Sequence, residues 1–230
     1  MDIQVLGPLE ASVDGRPVPL GGAKPRALLA MLALNAGSTV SSERLIDGLW
    51  GEQPPATATK LVQVYVSQLR KALAAGGDGA AIVTRGRGYA LRVDPDAVDA
   101  GRFERLVAQG SPREALALWR GPPLDDVADE PFAAAEIRRL EELRLAALEL
   151  AIERDLDAGR HRDVVGELDS LVAAEPLREQ LHAQRMLALY RSGRQADALE
   201  TYQQARKGLV DAIGVEPGPE LRRLHEAILV

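Results

Sequence analysis

The sequence predicts two domains: an N-terminal α+β domain of strands, three helices and a C-terminal hairpin, followed by an all-α domain of tetratricopeptide-like helical repeats. Segments with strand composition occur only in the first part of the chain, whereas helical periodicity continues without convincing strands from Asp99 onward. The charge changes sign at the same place, since residues 1–93 have a net charge of +3 and residues 94–230 have −9. We therefore place the boundary at the linker Asp94-Pro95-Asp96.

Short strands open the N-terminal domain. Residues 3–6 and 9–13 have strand composition, and the Asp14-Gly15 pair that follows them is a strong signal for a hairpin turn. The first helix begins at Lys24-Pro25-Arg26, because proline is favoured in the first turn, and it ends at Asn35-Ala36-Gly37.

Two further helices and a second hairpin complete this domain. Ser41 is the predicted N-cap of the second helix, and the glycine and prolines of residues 51–55 break it. The third helix covers about residues 56–75 and stops at the glycine-rich segment that follows. A hairpin over residues 82–93 comes next, with Arg85-Gly86-Arg87-Gly88 at its tip.

An internal repeat supports the helical second domain. The segment Gly159-Arg160-His161-Arg162-Asp163-Val164-Val165 recurs 34 residues later as Gly193-Arg194-Gln195-Ala196-Asp197-Ala198-Leu199, which is the tetratricopeptide period. A third, weaker copy begins at Gly110, and in each copy the small residue ends one helix. The predicted helices cover about residues 100–109, 112–119, 132–158, 161–174, 178–191, 195–212 and 219–229.

Composition and motifs exclude several function classes. The chain has no cysteine, so disulfides, iron–sulfur clusters and cysteine nucleophiles are excluded. Its three histidines, His161, His182 and His225, lack metal-ligand spacing, and we expect them at the surface or at a groove edge. The motifs of P-loop, dinucleotide-binding, zinc-protease and α/β-hydrolase enzymes are absent. We therefore predict no catalytic site, no metal and no cofactor.

The third helix carries the most informative pattern. Its apolar face comprises Ala58, Val62, Tyr65, Val66, Leu69 and Leu73. The opposite face comprises Lys60, Val64, Ser67 and Lys71, flanked by Gln63, Gln68 and Arg70. This side has no acidic residue over four turns, whereas ordinary surface helices interleave acids and bases. Glutamine, serine and a small aliphatic side chain can read base edges while lysine and arginine bind phosphate, so the pattern predicts a DNA-reading helix.

The following hairpin adds a second basic element. Thr84-Arg85-Gly86-Arg87-Gly88-Tyr89 places two arginines at a glycine-rich tip, and arginine on a protruding tip suits the narrow, electronegative minor groove. The alternative is a surface hairpin with solubilising arginines. We favour the first interpretation, since residues 55–92 hold six basic residues and one acidic residue inside an acidic protein.

These segments resemble a known family. Residues 62–73 and 83–89 resemble the recognition helix and wing of the OmpR-type winged-helix domain. Residues 5–9 and 45–51 point more narrowly to the SARP family, the Streptomyces antibiotic regulatory proteins. Residues 175–202 are similar to that family's bacterial transcriptional activation domain (BTAD), so the resemblance covers essentially the whole chain.

The resemblance implies a function in transcription. Family members activate secondary-metabolite or cell-envelope genes by binding direct repeats near promoters as side-by-side protomers, and they contact RNA polymerase. The implied DNA-binding residues are Lys60, Gln63, Val64, Ser67, Gln68, Arg70, Lys71, Thr84, Arg85 and Arg87. Lys60 and Arg70 would mainly bind phosphates, Val64, Ser67 and Gln68 would face the bases, and Arg85 would reach the minor groove. The implied polymerase-facing loop contains Gly51, Glu52, Gln53, Pro54 and Pro55.

The sequence thus predicts an activator whose partners are double-stranded DNA, RNA polymerase holoenzyme and further copies of itself on DNA. The apolar runs are shorter than the ~20 residues of a membrane span, and residues 1–7 lack signal-peptide character, so we expect a cytoplasmic, nucleoid-associated protein with no membrane partner. The alternative is a helical-repeat interaction scaffold with an incidental basic segment. The acid-free side of the third helix discriminates between them, since a scaffold has no reason to keep acids off it.

Overall fold

Two antiparallel sheets frame the N-terminal part of the computed structural model, which describes residues 1–74 and 81–230. The first sheet has the order β1-β2-β3, with β1 at Asp2–Gln4, β2 at Glu10–Val13 and β3 at Arg16–Pro17. The turn between β2 and β3 is Asp14-Gly15, whose φ values of 51° and 74° are the two positive angles of a type I′ hairpin. The predicted hairpin is confirmed.

The second sheet joins segments that are distant in sequence. It has the order β4-β6-β5, with β4 at Val40–Ser41, β5 at Ile82–Arg85 and β6 at Gly88–Leu91. Strands β5 and β6 form the predicted second hairpin, and β4 pairs with β6 in the register Val40↔Tyr89. The second sheet therefore fixes the hairpin to the segment that enters the second helix.

The helices of the N-terminal domain are α1 at Ala23–Leu34, α2 at Ser42–Trp50 and α3 at Ala58–Ala74. Each begins within about two residues of the prediction. The Ser41 side chain caps α2 by accepting a hydrogen bond from the backbone N–H of Arg44 at 3.1 Å, as predicted. The predicted end of α3 at Ala75 and the following glycine-rich segment lie outside the described residues.

Residues 94–230, all of which the structure describes, contain no strand and seven α-helices. These are α4 at Asp99–Ala108, α5 at Pro112–Leu116, α6 at Ala133–Asp157, α7 at Val165–Ala174, α8 at Glu179–Arg191, α9 at Gln195–Ile213 and α10 at Pro219–Leu229. The repeat glycines Gly110, Gly159 and Gly193 follow α4, α6 and α8 with φ near +80°, a conformation that favours glycine. The predicted helical repeats are thus confirmed, although α7 begins four residues after its predicted start.

The chain divides into two compact units, Met1–Ala147 and Leu148–Val230, which differ from the sequence-based domains of residues 1–93 and 94–230. The reason is that the first helices of the predicted second domain complete the core of the first. The Asp99 carboxylate at the start of α4 accepts hydrogen bonds from the backbone N–H groups of Val5 at 2.8 Å and Leu6 at 3.0 Å. Phe103 is fully buried in the same core.

The unit Leu148–Val230 has its own apolar clusters. His182 on α8 lies inside this unit rather than at its surface, so the expectation for this histidine is wrong. Its Nε2 lies 2.9 Å from the Pro176 carbonyl oxygen, and burial lowers the pKa of its imidazole. Among the described residues of the chain, no helix is long and apolar enough to cross a membrane.

Candidate nucleic-acid interface

Helix α3 presents the two faces that its sequence predicts. The buried residues are Ala58, Val62, Val66, Leu69 and Leu73. Tyr65, also predicted on this face, is half-buried and stacks on Trp50 of α2 with ring centroids 6.4 Å apart. The apolar face therefore locks α3 onto the core and fixes which side chains point outward.

The opposite face of α3 is exposed and free of acids. The exposed residues from the predicted set are Lys60, Gln63, Val64, Ser67, Gln68 and Lys71. The Val64 side chain is aliphatic yet 41% exposed, so it does not serve the core. Because α3 contains no aspartate or glutamate, this face combines two cations with neutral hydrogen-bonding groups and one apolar contact point.

The β5–β6 hairpin, which we call the wing after the family resemblance, holds its arginines at an exposed tip. Arg85 pairs with Gly88, so the loop has two residues, and Gly86 at its first position has a φ of +55° that suits a type II′ turn. The side chains of Arg85 and Arg87 are exposed. The Arg87 carbonyl accepts a hydrogen bond from the backbone N–H of Ser42 at 2.9 Å, so the tip is tied to the start of α2.

Gly88 permits this attachment. A Cβ atom at this position would collide with the carbonyl oxygen of Val40 and would lie 3.0 Å from Cα of Ser41. Both obstacles are backbone atoms of β4, which cannot rotate away. Glycine at position 88 is therefore required for the wing strand β6 to pair closely with β4.

Arg70 does not extend freely from α3. Its Nε donates to the carbonyl of Ile82 at 2.8 Å, its Nη2 donates to Oγ1 of Thr84 at 2.9 Å, and its guanidinium lies 5.9 Å from the Tyr89 ring centroid. The family resemblance implies a phosphate contact for this arginine. The structure commits its side chain, together with the hydroxyl of Thr84, to joining α3 and the wing.

A groove of about 610 Å³ separates α3 from the wing. Its lining includes Gln63 and Thr59 of α3, Arg87 and Thr84 of the wing, and the hydroxyl-bearing Ser41 and Ser42 at the start of α2. Sequence reasoning missed Ser41, Ser42 and Thr59. Ser41 and Ser42 carry no local signal, because the long-range pairing of β4 with β6 brings them to the groove. Thr59 is exposed one helical turn before Gln63, so the periodicity of α3 could have identified it. The groove is also lined by one acidic side chain, that of Glu43.

The predicted polymerase-facing segment, residues 51–55 (the 51–55 loop), follows α2 directly. Gly51 has a φ of +59° and is half-buried, and the four residues after it are exposed. The loop therefore projects from the end of α2, on the chain between α2 and the DNA-reading candidate α3. Among the described residues, no group of three or more histidine, aspartate or glutamate side chains is arranged to hold a metal ion.

Comparison with known proteins identifies the family. The family model of the bacterial transcriptional activator domain matches residues 96–229, and that of the C-terminal domain of transcriptional regulatory proteins matches residues 15–91. The regulatory protein DnrI of Streptomyces peucetius is 43% identical over 250 residues, which cover 100% of this chain and 92% of DnrI. The chain belongs to the SARP family of transcriptional regulators.

Other SARP-type relatives are longer than this chain. AfsR of Streptomyces coelicolor is 42% identical over 98% of the chain, which spans only 24% of AfsR. Among solved structures, Mycobacterium tuberculosis EmbR, in complex with a low-affinity phosphopeptide, superposes with a TM-score of 0.92 at 38% identity. That match covers 99% of this chain and 64% of EmbR.

The SARP assignment confirms the family resemblance and the fold class: a β-rich winged-helix region followed by a helical domain. The chain is a transcriptional regulator of the SARP type, and no enzymatic family is indicated. Its family thereby implies interaction with DNA and with the transcription machinery. Helix α3 is the third helix of this winged-helix region, and the β5–β6 hairpin is the next hairpin along the chain.

Proposed function

We propose that this SARP-type regulator activates secondary-metabolite biosynthesis genes by binding direct repeats near their promoters and recruiting RNA polymerase. The observation that carries the proposal is the exposed, acid-free face of α3 beside a wing tipped by Arg85 and Arg87. Ordinary surface helices interleave acids with bases, so an exposed face with cations and no acid is suited to binding a polyanion.

The side chains divide into two roles on DNA. Lys60 and Lys71 are exposed cations that bind phosphate oxygens and set the register of α3. Ser67, Gln68 and Val64 present a hydroxyl, an amide and a methyl-bearing surface to base edges in the major groove. Gln63 lines the groove between α3 and the wing, where it contacts the DNA backbone.

The wing supplies a second contact. Its exposed Arg85 and Arg87 reach the minor groove beside the major groove that α3 occupies. Arg70 acts indirectly in this arrangement. Its bonds to Ile82 and Thr84 hold the wing at a fixed distance from α3, so that both elements can engage neighbouring grooves of the same duplex.

The acidic remainder of the chain contributes protein contacts. Residues 94–230 carry a net charge of −9, which disfavours close approach to phosphates, and stacked helical repeats provide surfaces suited to proteins. Neighbouring protomers bind side by side on DNA, and the 51–55 loop faces RNA polymerase.

A footprint of the purified protein on its own upstream region tests the proposal. We expect two protected sites about one helical turn apart, ~10–11 base pairs, because both recognition helices then enter the same face of the duplex. Inserting about five base pairs between the sites should abolish cooperative binding, and inserting a full turn should partly restore it. Absence of any protected sequence would reject DNA reading and leave the helical-repeat scaffold as the function.

A further inference from the structure

The end of α2 has an unusual set of hydrogen-bond partners. The last turn of a helix leaves four carbonyl groups without partners inside the helix. Two of those in α2 are satisfied locally: Asp47 accepts from the N–H of Gly51 at 2.7 Å, and Trp50 accepts from the N–H of Gln53 at 3.3 Å. The 51–55 loop therefore begins within the capping structure of the helix.

The other two carbonyls are satisfied by distant parts of the chain. The Gly48 carbonyl accepts from the backbone N–H of Phe132 at 3.2 Å, and the Leu49 carbonyl accepts from Nζ of Lys24 in the first turn of α1. A lysine at this end of a helix also complements the negative end of the helix dipole. Residues more than twenty positions away thus satisfy two of the carbonyl groups at the end of α2.

Lys24 is itself held in place. Its Nζ lies 2.7 Å from Oε2 of Glu130 and 5.7 Å from the centroid of the Trp50 ring. The Glu130 side chain is only 10% exposed and that of Lys24 is 33% exposed, so solvent weakens this ion pair less than it would a surface pair. Glu130 lies in the segment that the bacterial transcriptional activator domain model matches.

Residues 130–132 also pack against the base of the loop. Gly48 lacks a side chain, and a Cβ atom there would collide with Met31 and lie 3.3 Å from Cβ of Phe132. A Cβ atom on Gly51 would lie 3.6 Å from Pro131, at ordinary van der Waals distance. The activator-domain segment therefore covers the point where the chain leaves α2 and enters the 51–55 loop.

We propose that Lys24 and Glu130 are positioning residues that hold the 51–55 loop in the geometry that RNA polymerase recognises. The inference rests on the proposed polymerase-facing function of that loop. Neither side chain belongs to the exposed face of α3 or to the wing tip, so their effect is on activation and not on DNA affinity. Holding the base of an exposed loop in place reduces the conformational entropy that the loop loses when a partner binds. The activator domain thereby acts on polymerase through the winged helix.

Two variants and a matched control test the proposal in the full chain. Lys24→Met removes the cap and the ion pair, and Glu130→Gln removes the charge while keeping the shape. The control is Arg102→Met, which breaks the Arg102–Asp2 ion pair of 3.1 Å between α4 and β1 in the same unit. Each protein is measured for hydrogen exchange over residues 51–58, DNA affinity, and transcript yield with purified RNA polymerase.

Both test variants should raise exchange over residues 51–58 and lower transcript yield about fivefold, because the loop is no longer pre-ordered. Their DNA affinity should stay within about twofold of the parent, since α3 and the wing are untouched. The control should leave exchange in this segment and transcript yield unchanged, which separates positioning from a general loss of stability.

Unchanged exchange over residues 51–58 in both test variants overturns the proposal, and so does a normal transcript yield from variants whose loop exchange has risen. A further variant, Glu52→Ala with Gln53→Ala, tests the loop itself. If that variant activates normally, the polymerase-facing function of the loop is wrong. If it loses activation while Lys24→Met and Glu130→Gln retain it, the loop function stands and the positioning function fails.

Discussion

Replacing Asp99 by alanine tests whether α4 completes the core of the winged helix. The Asp99 carboxylate accepts hydrogen bonds from the N–H groups of Val5 and Leu6, and both of these residues are fully buried. Alanine leaves the two donors without a partner, at about 1–3 kcal/mol each, so the expected loss is about 2–6 kcal/mol of unfolding free energy. That is a large part of the ~5–15 kcal/mol that stabilises a typical domain.

Urea unfolding followed by tryptophan fluorescence measures this loss, since both tryptophans of the chain, Trp50 and Trp119, lie in the unit Met1–Ala147. With a typical slope of about 2 kcal/mol per molar urea, the midpoint should fall by about 1–3 M. The control is Asp96→Ala. The Asp96 side chain is 45% exposed and pairs with Arg105, so its removal should cost about 1 kcal/mol or less. Equal midpoints for the two variants would refute the idea that α4 belongs to this core.

Three further predictions concern the wing, the helical unit and DNA. Gly88→Ala should lower the free energy of unfolding in urea by about 1–3 kcal/mol, because the new Cβ collides with the backbone of β4. The control is Gly121→Ala, which should change this free energy little, because no described atom beyond its own residue and its two chain neighbours lies within 4 Å of the new Cβ. Burial holds the folded-state pKa of His182 below its usual 6.5. The stability that the neutral imidazole contributes is therefore fully present above pH 6.5 and is lost as the pH falls through the folded-state pKa. Calorimetry should show this loss of stability in the parent and a flatter dependence of stability on pH in His182→Gln. DNA affinity should fall with salt at a slope of about −0.9 per phosphate contact, and Lys60→Ala should reduce that slope by about one unit; equal slopes would argue against a phosphate contact at Lys60.

Local chemistry explains what the sequence could predict. The Asp14-Gly15 turn and the Ser41 cap depend on residues within a few positions of each other, and the two faces of α3 depend on periodicity within one helix. In an amphipathic helix, the apolar stripe faces the core and the opposite side faces solvent. The periodicity of α3 therefore predicts that Lys60 and Gln68 are exposed, and both are.

The remaining features depend on contacts between distant residues, which leave no periodic signal. The pairing of β4 with β6 brings Ser42 to the wing. The hydrogen bond from Arg70 to the carbonyl of Ile82 depends on how α3 packs against β5. Because Asp99 accepts a hydrogen bond from Val5, α4 belongs to the first compact unit, which ends within α6 and not at the predicted linker. Burial of His182 likewise depends on helix packing that the residue's own surroundings in sequence do not indicate.

The most direct test of DNA reading by α3 is a base-substitution scan of the footprinted operator. Affinities of the parent, Gln68→Ala and Lys60→Ala are measured against every single-base change in one half-site. Gln68→Ala should lose about 1–3 kcal/mol of discrimination at one base position while the other positions stay discriminated, and Lys60→Ala should weaken binding to all sequences about equally. A changed sequence preference in Lys60→Ala with an unchanged preference in Gln68→Ala would contradict the assignment of α3 as the reading element in this orientation.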